Sequence, residues 1–183
     1  MFEVRECAIA GCYEIDPKVF VDSRGQFVKV FQTEEFSRRG LDADFREEFY
    51  TISTQGVIRG LHFQAPPMDQ TKMVYCVSGS VLDVVVDLRM GSPTYGSFAQ
   101  FELNADKPGC IYIPKGLAHG FCVLSASATL IYKVTRSYAP EYDEGIAWNS
   151  VGIPWPVSDP VLSERDRRLT PFTDFRSPFV HGM

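Results

Sequence analysis

Two histidines stand in the sequence where their imidazoles could take part in chemistry. Alternation along an extended chain places His62 on the face opposite its apolar neighbours Leu61 and Phe63. His119 follows a Pro-x-Gly turn that brings its side chain to the start of a strand. The third histidine, His181, lies near the last residue of the chain, in a segment expected to be loose. We therefore expect His62 and His119 to line one cavity.

Three kinds of site use such imidazoles: a metal centre, a pair of hydrogen-bonded core residues, or a general base. Metal centres usually need three or four His and carboxylate ligands, but Gln64 shares the face of His62 and Lys72 enters the next strand. A lysine ammonium beside a bound metal ion would repel it. Buried histidines are common, so a purely structural role stays open. The third hypothesis is proton transfer by an imidazole beside a cation, and the chain supplies carboxylates and phenols for it.

The elements that must position these side chains are mostly short β-strands. Strand-like runs bounded by Gly, Pro, Asn or Asp are predicted over residues 27–31, 56–63, 72–77, 80–88, 98–103, 110–113, 120–124 and 129–135. Some alternate apolar and polar residues, whereas Val84-Val85-Val86 is continuously apolar, as in strands covered on both sides. One short helix is predicted over residues 33–40, with Thr33 as its cap and Gly40 at its end. The sequence therefore predicts an all-β double-sheet jelly roll with a few short helices.

Length and composition predict one soluble domain over residues 1–183. Hydrophobic residues make up 45% and charged residues 22% of the chain, as in globular proteins. The expected core covers about residues 11–135. Residues 136–183 are interrupted by prolines, so we expect an irregular C-terminal tail that wraps the barrel without extending it.

Net charge and cysteine content restrict the classes of partner and the cellular compartment that we expect for the protein. The net charge is −5 and no basic run occurs, so we expect neither nucleic acid nor a membrane as a partner. No apolar run reaches the roughly 18 residues of a membrane span. The five scattered cysteines form no Cys-x-x-Cys pair and are expected to be reduced thiols of a cytoplasmic protein.

Seven segments, taken in order, resemble a known enzyme family. They are Arg24-Gly25-x-Phe27, Gly56-Val57-Ile58-Arg59-Gly60-Leu61-His62-Phe63-Gln64, Val86-Asp87-Leu88-Arg89 with Ser92-Pro93-Thr94-Tyr95-Gly96, Ile113-Pro114-x-Gly116-x-Ala118-His119-Gly120-Phe121, Tyr132-Lys133, Gly145-Ile146-x-Trp148 and Leu162-Ser163-x-Arg165-Asp166. Their order and spacing resemble the dTDP-4-dehydrorhamnose 3,5-epimerase family over roughly residues 11–166. The resemblance implies that family's fold, a cupin-like double-stranded β-helix, which agrees with the predicted jelly roll.

The resemblance implies an epimerase of deoxysugar biosynthesis. Members of the family invert C3 and C5 of a nucleotide-diphosphate-linked 4-keto-6-deoxyhexose, and they use no metal and no nicotinamide. The C4 ketone acidifies both carbons. By position, His62 looks like the base, Asp166 its carboxylate partner and Tyr132 the acid. Lys72, together with His119, would stabilise charge on the C4 oxygen.

The resemblance also implies a diphosphate site and a homodimer. Since the net charge is negative and charges are screened over about 8 Å, local arginines must attract the diphosphate. In that family, exchanged N-terminal strands carry residues into the neighbouring subunit's site. The residues that the resemblance places at the substrate are Arg24, Phe27, Lys29, Glu47, Ser53, Arg59, Lys72, His119, Tyr138, Asp143 and Arg165.

Three places depart from the family pattern and leave the substrate open. Glu47-Glu48-Phe49 stands where Gln-x-Asn is usual, and Lys29 and Asp143 stand where Glu is commoner. These positions belong to the nucleotide and phosphate region, so the nucleotide could be dTDP, CDP or GDP, with Glu47 and Lys29 as a charge-swapped pair. A mono-epimerase acting at C3 or C5 alone is equally compatible. A sugar ketoisomerase, a catalytically silent sugar-nucleotide-binding cupin and a metal-dependent cupin enzyme are the remaining alternatives.

Overall fold

A computed structural model describes residues 2–182. Within that range the chain forms thirteen β-strands, one α-helix and three 3₁₀ helices. The strands are β1 (Glu3–Glu6), β2 (Tyr13–Asp16), β3 (Val19–Asp22), β4 (Gly25–Val28), β5 (Glu47–Thr54), β6 (Ile58–Gln64), β7 (Lys72–Ser78), β8 (Ser80–Asp87), β9 (Phe98–Asn104), β10 (Cys110–Ile113), β11 (Leu117–Val123), β12 (Ser127–Val134) and β13 (Asp143–Gly145). The helix α1 covers Thr33–Arg38, and the 3₁₀ helices cover Pro140–Tyr142, Asp166–Arg168 and Phe172–Asp174.

The strands form two antiparallel sheets and a separate hairpin. One sheet has six strands in the order β1-β2-β10-β7-β12-β5, and the other has five in the order β13-β6-β11-β8-β9. Within residues 2–182, strands β3 and β4 pair only with each other. This arrangement confirms the predicted all-β jelly roll, and it places a candidate site between the inner faces of the two sheets.

The core between the sheets follows from the strand patterns. In β12 every second side chain is buried, including Leu130 and Val134, while the intervening residues are half-buried or exposed. In β8 the run Val84-Val85-Val86 is fully buried, as its continuous apolar character predicts. Each such side chain stabilises the fold by about 1.5–3 kcal/mol relative to an exposed one.

The sequence missed five strands and displaced others. Strands β1, β2, β3, β5 and β13 were not predicted, and the strand predicted over residues 27–31 is wrong in its second half. Strand β4 ends at Val28, because Val30 and Phe31 leave the hairpin and pack near the helix residue Phe36. Helix α1 occurs where predicted, but its N-cap residue is Gln32 rather than Thr33. The Gln32 side chain makes no capping hydrogen bond.

The C-terminal segment does more than wrap the barrel. The expectation that it adds no strand is wrong, because Asp143–Gly145 pairs with β6 and forms the edge of the five-stranded sheet. Beyond it, Val161 and Val180 make single bridges to Val57 and Met90, and Thr170 makes one to Ile146, next to β13. At the other end, β1 pairs with β2, so the sheet begins at Glu3, before the predicted core. Across residues 2–182, no helix has the length and apolar character needed to cross a membrane.

Candidate active site

A cavity of about 430 Å³ lies between the two sheets. The five-stranded sheet contributes His62 on β6 and His119 on β11, and the six-stranded sheet contributes Lys72 on β7 and Tyr132 on β12. The volume is within the range of small-molecule sites. The predicted site residues that line it are Glu47, Arg59, His62, Lys72, His119, Tyr132, Tyr138, Asp143 and Arg165.

His62 is paired with a carboxylate from the C-terminal segment. Its Nε2 lies 2.6 Å from Oδ1 of Asp166, whose own backbone N–H donates to the Ser163 hydroxyl at 3.0 Å. Burial lowers the pKa of His62, although the bond to Asp166 works in the opposite direction. Burial opposes ionisation of Asp166, but the hydrogen bond and charge of His62 lower its pKa overall. The imidazole is therefore mostly neutral near pH 7 and able to accept a proton.

His119 belongs to a second imidazole–carboxylate pair, which is more deeply buried. Strands β11 and β6 place His119 directly opposite His62, and His119 Nε2 lies 2.8 Å from Oδ2 of Asp83. His119 is 4% exposed and Asp83 is fully buried. Within residues 2–182, Oδ1 of Asp83 has no hydrogen-bond partner. The pair fixes the His119 ring against the cavity.

Tyr132 faces the histidines from the other sheet. Its hydroxyl lies 3.4 Å from Oγ1 of Thr51, and its ring stacks on Phe49 with centroids 4.8 Å apart. Burial raises the pKa of Tyr132 well above the ordinary value, so its phenol stays protonated. A protonated hydroxyl in this position can donate a proton but cannot remove one.

Lys72 supplies a cation in the same cavity. Its Nζ donates to the backbone carbonyl of His62 at 3.3 Å. Burial lowers the pKa of Lys72 to about 8, with the Asp143 carboxylate acting in the opposite direction. The ammonium form therefore dominates at pH 7 and can stabilise an oxyanion. Within the described range, no three His, Cys, Asp or Glu side chains gather as ligands for a metal ion.

The mouth of the cavity is ringed by charged and polar groups. Glu47 accepts a hydrogen bond from the Tyr138 backbone N–H at 3.1 Å, and the Tyr138 hydroxyl donates to Asp143 at 3.2 Å. Arg165 forms a 2.9 Å ion pair with Asp143. The rim thus carries anchoring groups for a ligand that extends out of the cavity.

Five predicted residues lie outside the cavity wall. Asp166 sits behind His62, and Ser53 sits behind Arg59, whose Nε donates to the serine hydroxyl at 2.9 Å. The other three, Arg24, Phe27 and Lys29, belong to or follow the β3–β4 hairpin and are exposed, with 61% of Phe27 accessible. Arg24 pairs with Asp22 of the same hairpin. Within this chain's described residues, Lys29 makes no ion pair with Glu47.

Sequence reasoning missed several residues of the site. Thr51 and Gln70 line the cavity, and Asp83 holds His119. Phe49 was expected in the nucleotide and phosphate region, but its ring stacks on Tyr132. Asp83 had a usable signal, because a single carboxylate inside the apolar run of β8 is rarely buried without a partner. Thr51 and Gln70 carried none, since isolated polar residues are common on exposed strands and turns.

Comparison with known proteins identifies the family of the chain. A family model described as dTDP-4-dehydrorhamnose 3,5-epimerase matches residues 6–174. The enzyme of that name from Shigella flexneri is 43% identical over 162 residues, which are 87% of this chain and 90% of the relative.

Solved structures show the same fold. The dTDP-6-deoxy-D-glucose-3,5-epimerase from Legionella pneumophila, in complex with dTDP-4-keto-L-rhamnose, has a TM-score of 0.93 at 34% identity and covers 98% of both chains. A 3'-monoepimerase from Streptomyces bikiniensis, in complex with dTDP-quinovose, has a TM-score of 0.87 at 33% identity over 91% of this chain and 86% of its own. With the sequence match over most of its length, the chain belongs to the dTDP-4-dehydrorhamnose 3,5-epimerase family and is an epimerase of nucleotide-linked 4-keto-6-deoxy sugars.

Proposed function

We propose that this epimerase inverts both C3 and C5 of a dTDP-linked 4-keto-6-deoxyhexose. The observation that carries the proposal is the position of a base and an acid on opposite walls of one cavity, His62 on β6 and Tyr132 on β12. Inversion requires that a proton leave one face of the carbon and another arrive at the opposite face. A base and an acid on one wall would only exchange hydrogen without changing configuration.

Proton removal is assigned to His62. Its neutral imidazole accepts the proton from C3 or C5, and Asp166 orients the ring and stabilises the imidazolium that forms. The electron pair left on carbon moves into the C4 carbonyl, where Lys72 and His119 stabilise the enolate oxygen. Removing one such donor typically costs about 2.7–4 kcal/mol of transition-state stabilisation.

Proton return is assigned to Tyr132. Its hydroxyl gives a proton to the opposite face of the enolate. The phenolate is then reprotonated from solvent, and the His62 imidazolium releases its proton to solvent. Because burial raises the pKa of this phenol, the hydroxyl is protonated at the start of each turnover. The reaction needs no net oxidation or reduction, since one C–H bond is broken and another is formed.

The nucleotide and diphosphate are assigned to the mouth of the cavity. Arg59 and Arg165 provide cations there, and Tyr138 is 60% exposed and offers an aromatic face for a base. The name of the family and the dTDP-sugar bound by the Legionella relative support dTDP as the nucleotide.

A homodimer completes the proposed site. The β3–β4 hairpin holds its aromatic residues Phe20 and Phe27 exposed, 48% and 61%, away from the body of its own chain. We infer that the hairpin of a second copy brings Arg24, Phe27 and Lys29 to the rim, where Lys29 would neutralise Glu47. Mixing inactive His62→Asn and Arg24→Ala chains should restore activity in hetero-dimers, and a monomer by sedimentation would refute the assignment.

The proposed compartment is the cytoplasm. All five cysteines are free thiols, and four of them are buried. Free thiols are typical of a reducing compartment, and disulfides of an oxidising one.

The test of the function is proton NMR in deuterated water with dTDP-, CDP- and GDP-linked 4-keto-6-deoxyglucose in turn. We expect loss of both the H3 and H5 signals with the dTDP sugar and slower loss with the others. Loss at both carbons only with the CDP or GDP sugar would refute dTDP and support the Glu47–Lys29 charge swap as the cause. No loss with any sugar would refute the proposed substrate class.

A mono-epimerase is the second candidate. It is favoured by the likeness to the Streptomyces bikiniensis 3'-monoepimerase and by Phe49, which takes the place of a polar residue next to Tyr132. Loss of the H3 signal alone in the same experiment would establish it.

A further inference from the structure

The edge strand β5 holds the aromatic ring that covers the proposed proton donor. Among the residues that the structure describes, strand β5 pairs only with β12, and its register sets Phe49 directly opposite Tyr132. The two rings lie 4.8 Å apart and only 10° from parallel. Phe49 is 42% exposed, whereas Tyr132 is 6% exposed, so Phe49 separates the tyrosine from solvent on that side.

Tyr132 also belongs to the buried apolar core between the sheets, and two further side chains approach it from the cavity. Thr51, two residues along on the same face of β5, reaches the hydroxyl at 3.4 Å, which is a long hydrogen bond. The His119 ring approaches edge-on, with centroids 6.1 Å apart. Of the two aromatic neighbours, Phe49 is the nearer and the one that lies flat against the phenol ring.

The direction of the hydroxyl decides what happens to the enolate. After His62 has taken the proton, the enolate carbon can be reprotonated by the His62 imidazolium or by the Tyr132 hydroxyl. The first route restores the original configuration, with solvent deuterium if the imidazolium has exchanged its proton. The second route inverts the carbon and leaves a phenolate for solvent to reprotonate. The ratio of the two routes depends on how directly the Tyr132 hydroxyl points at the enolate carbon.

We propose that Phe49 is a positioning residue that holds the Tyr132 phenol toward the reprotonated face, and so sets the ratio of inversion to exchange without inversion. The inference rests on the proposed function and deepens it. Phe49 itself transfers no proton, because it has no titratable group. A stacked aromatic pair of this kind contributes enough to change the ratio about two- to tenfold.

The experiment measures both outcomes in deuterated water with dTDP-4-keto-6-deoxyglucose. The measured ratio is deuterium incorporated with retained configuration over epimer formed. We expect Phe49→Leu to raise this ratio about two- to tenfold, while Phe49→Tyr, which keeps the flat ring, leaves it near the wild-type value. The matched control is Tyr50→Leu, an aromatic residue on the same strand but turned to the opposite face and 66% exposed, which should not move the ratio. Tyr132→Phe sets the upper limit.

An unchanged ratio in Phe49→Leu, with exchange and inversion lowered equally or with only KM raised, would overturn the inference. A second readout needs no substrate: the ring-flip rate of Tyr132, followed by NMR of tyrosine-labelled protein and assigned with Tyr132→Phe. We expect faster flipping in Phe49→Leu than in wild type and Phe49→Tyr. Equal rates in all three would also overturn the inference. Faster flipping in Phe49→Leu without turnover of any sugar by wild type would support the restraint and refute the proposed function.

Discussion

The two imidazole–carboxylate pairs of this protein lie side by side but differ in what surrounds them. His62 and His119 are direct neighbours across β6 and β11. The His62 side chain is 24% exposed to the cavity, and its partner Asp166 comes from a segment 104 residues away. The His119 side chain is 4% exposed, and its partner Asp83 stands on the adjacent strand β8.

The difference in exposure suits His62 to react with the substrate and His119 to make a fixed contact with it. A general base must reach a carbon-bound proton and change its charge, and for this it needs access to the substrate and partial hydration. A deeply buried pair has little access to a substrate carbon, but its ring keeps a fixed direction. We therefore assign proton removal to His62 and a fixed polar contact with the C4 oxygen to His119.

Removing each imidazole in turn tests the roles assigned to His62 and His119. His62→Asn should lower the rate of deuterium exchange at C3 and C5 about 10²- to 10⁴-fold, the contribution of a positioned base. His119→Asn should lower it less, because His62, Asp166 and Lys72 are still in place. Both rates are measured by proton NMR under single-turnover conditions.

Circular dichroism serves as the control for folding of both variants. Exchange that survives at the wild-type rate in His62→Asn would remove His62 from the mechanism. A larger loss in His119→Asn than in His62→Asn would reverse the two assignments.

Removing the two carboxylates should affect stability in the reverse order. The larger loss in the free energy of unfolding is expected for Asp83, the partner of His119. Asp83→Ala leaves the buried His119 imidazole without its hydrogen-bond partner and is expected to lower the free energy of unfolding by about 2–3 kcal/mol. Asp166→Ala is expected to cost about 1 kcal/mol, because water in the cavity can hydrate the exposed edge of His62. Urea unfolding at neutral pH measures both values, and equal losses would contradict the comparison.

Activity provides the cross-check on the same two variants. Asp166→Ala should lose most of its exchange activity although it is nearly as stable as wild type. Asp83→Ala, assayed well below its unfolding midpoint, should keep more activity than Asp166→Ala.

The sequence predicted the central strands around the site but not the edge strand. The apolar pattern predicted the central strands β7, β8 and β12, because a strand buried on one face alternates and a strand buried on both faces is continuously apolar. It missed β5, whose sequence EEFYTIST is mostly exposed at the sheet edge and carries no such pattern. The edge strand nevertheless supplies Phe49 and Thr51, both in contact with Tyr132.

Of the two carboxylates that pair with the histidines, one was predicted and the other was not. Asp166 was identified through the family resemblance, because it stands in a motif, and no local pattern links it to a strand 104 residues away. Asp83 was missed although it interrupts the apolar run of β8, since a pattern that locates a buried carboxylate does not say which group it binds. Contacts between distant segments depend on sheet order and register, which the sequence alone did not provide.

The charge of Lys72, which lies in the same cavity as the two histidines, should affect the pH dependence of kcat/KM. The pKa of His62 is lowered by burial, so the neutral base accumulates as the pH rises toward 6.5 and activity rises with it. Lys72 has a pKa of about 8, so its ammonium is lost as the pH rises further, and activity falls. The profile should be bell-shaped with its alkaline limb near pH 8, and kcat/KM should fall about tenfold between pH 7 and pH 9.

Lys72→Arg tests the origin of the alkaline limb. A guanidinium keeps its charge throughout this range, so the fall between pH 7 and pH 9 should disappear even if the variant is slower at every pH. The acid limb should not move, because the contact of His62 with Asp166 is preserved. An alkaline limb that stays near pH 8 in Lys72→Arg would show that another group titrates there, and it would remove the Lys72 charge from stabilisation of the enolate.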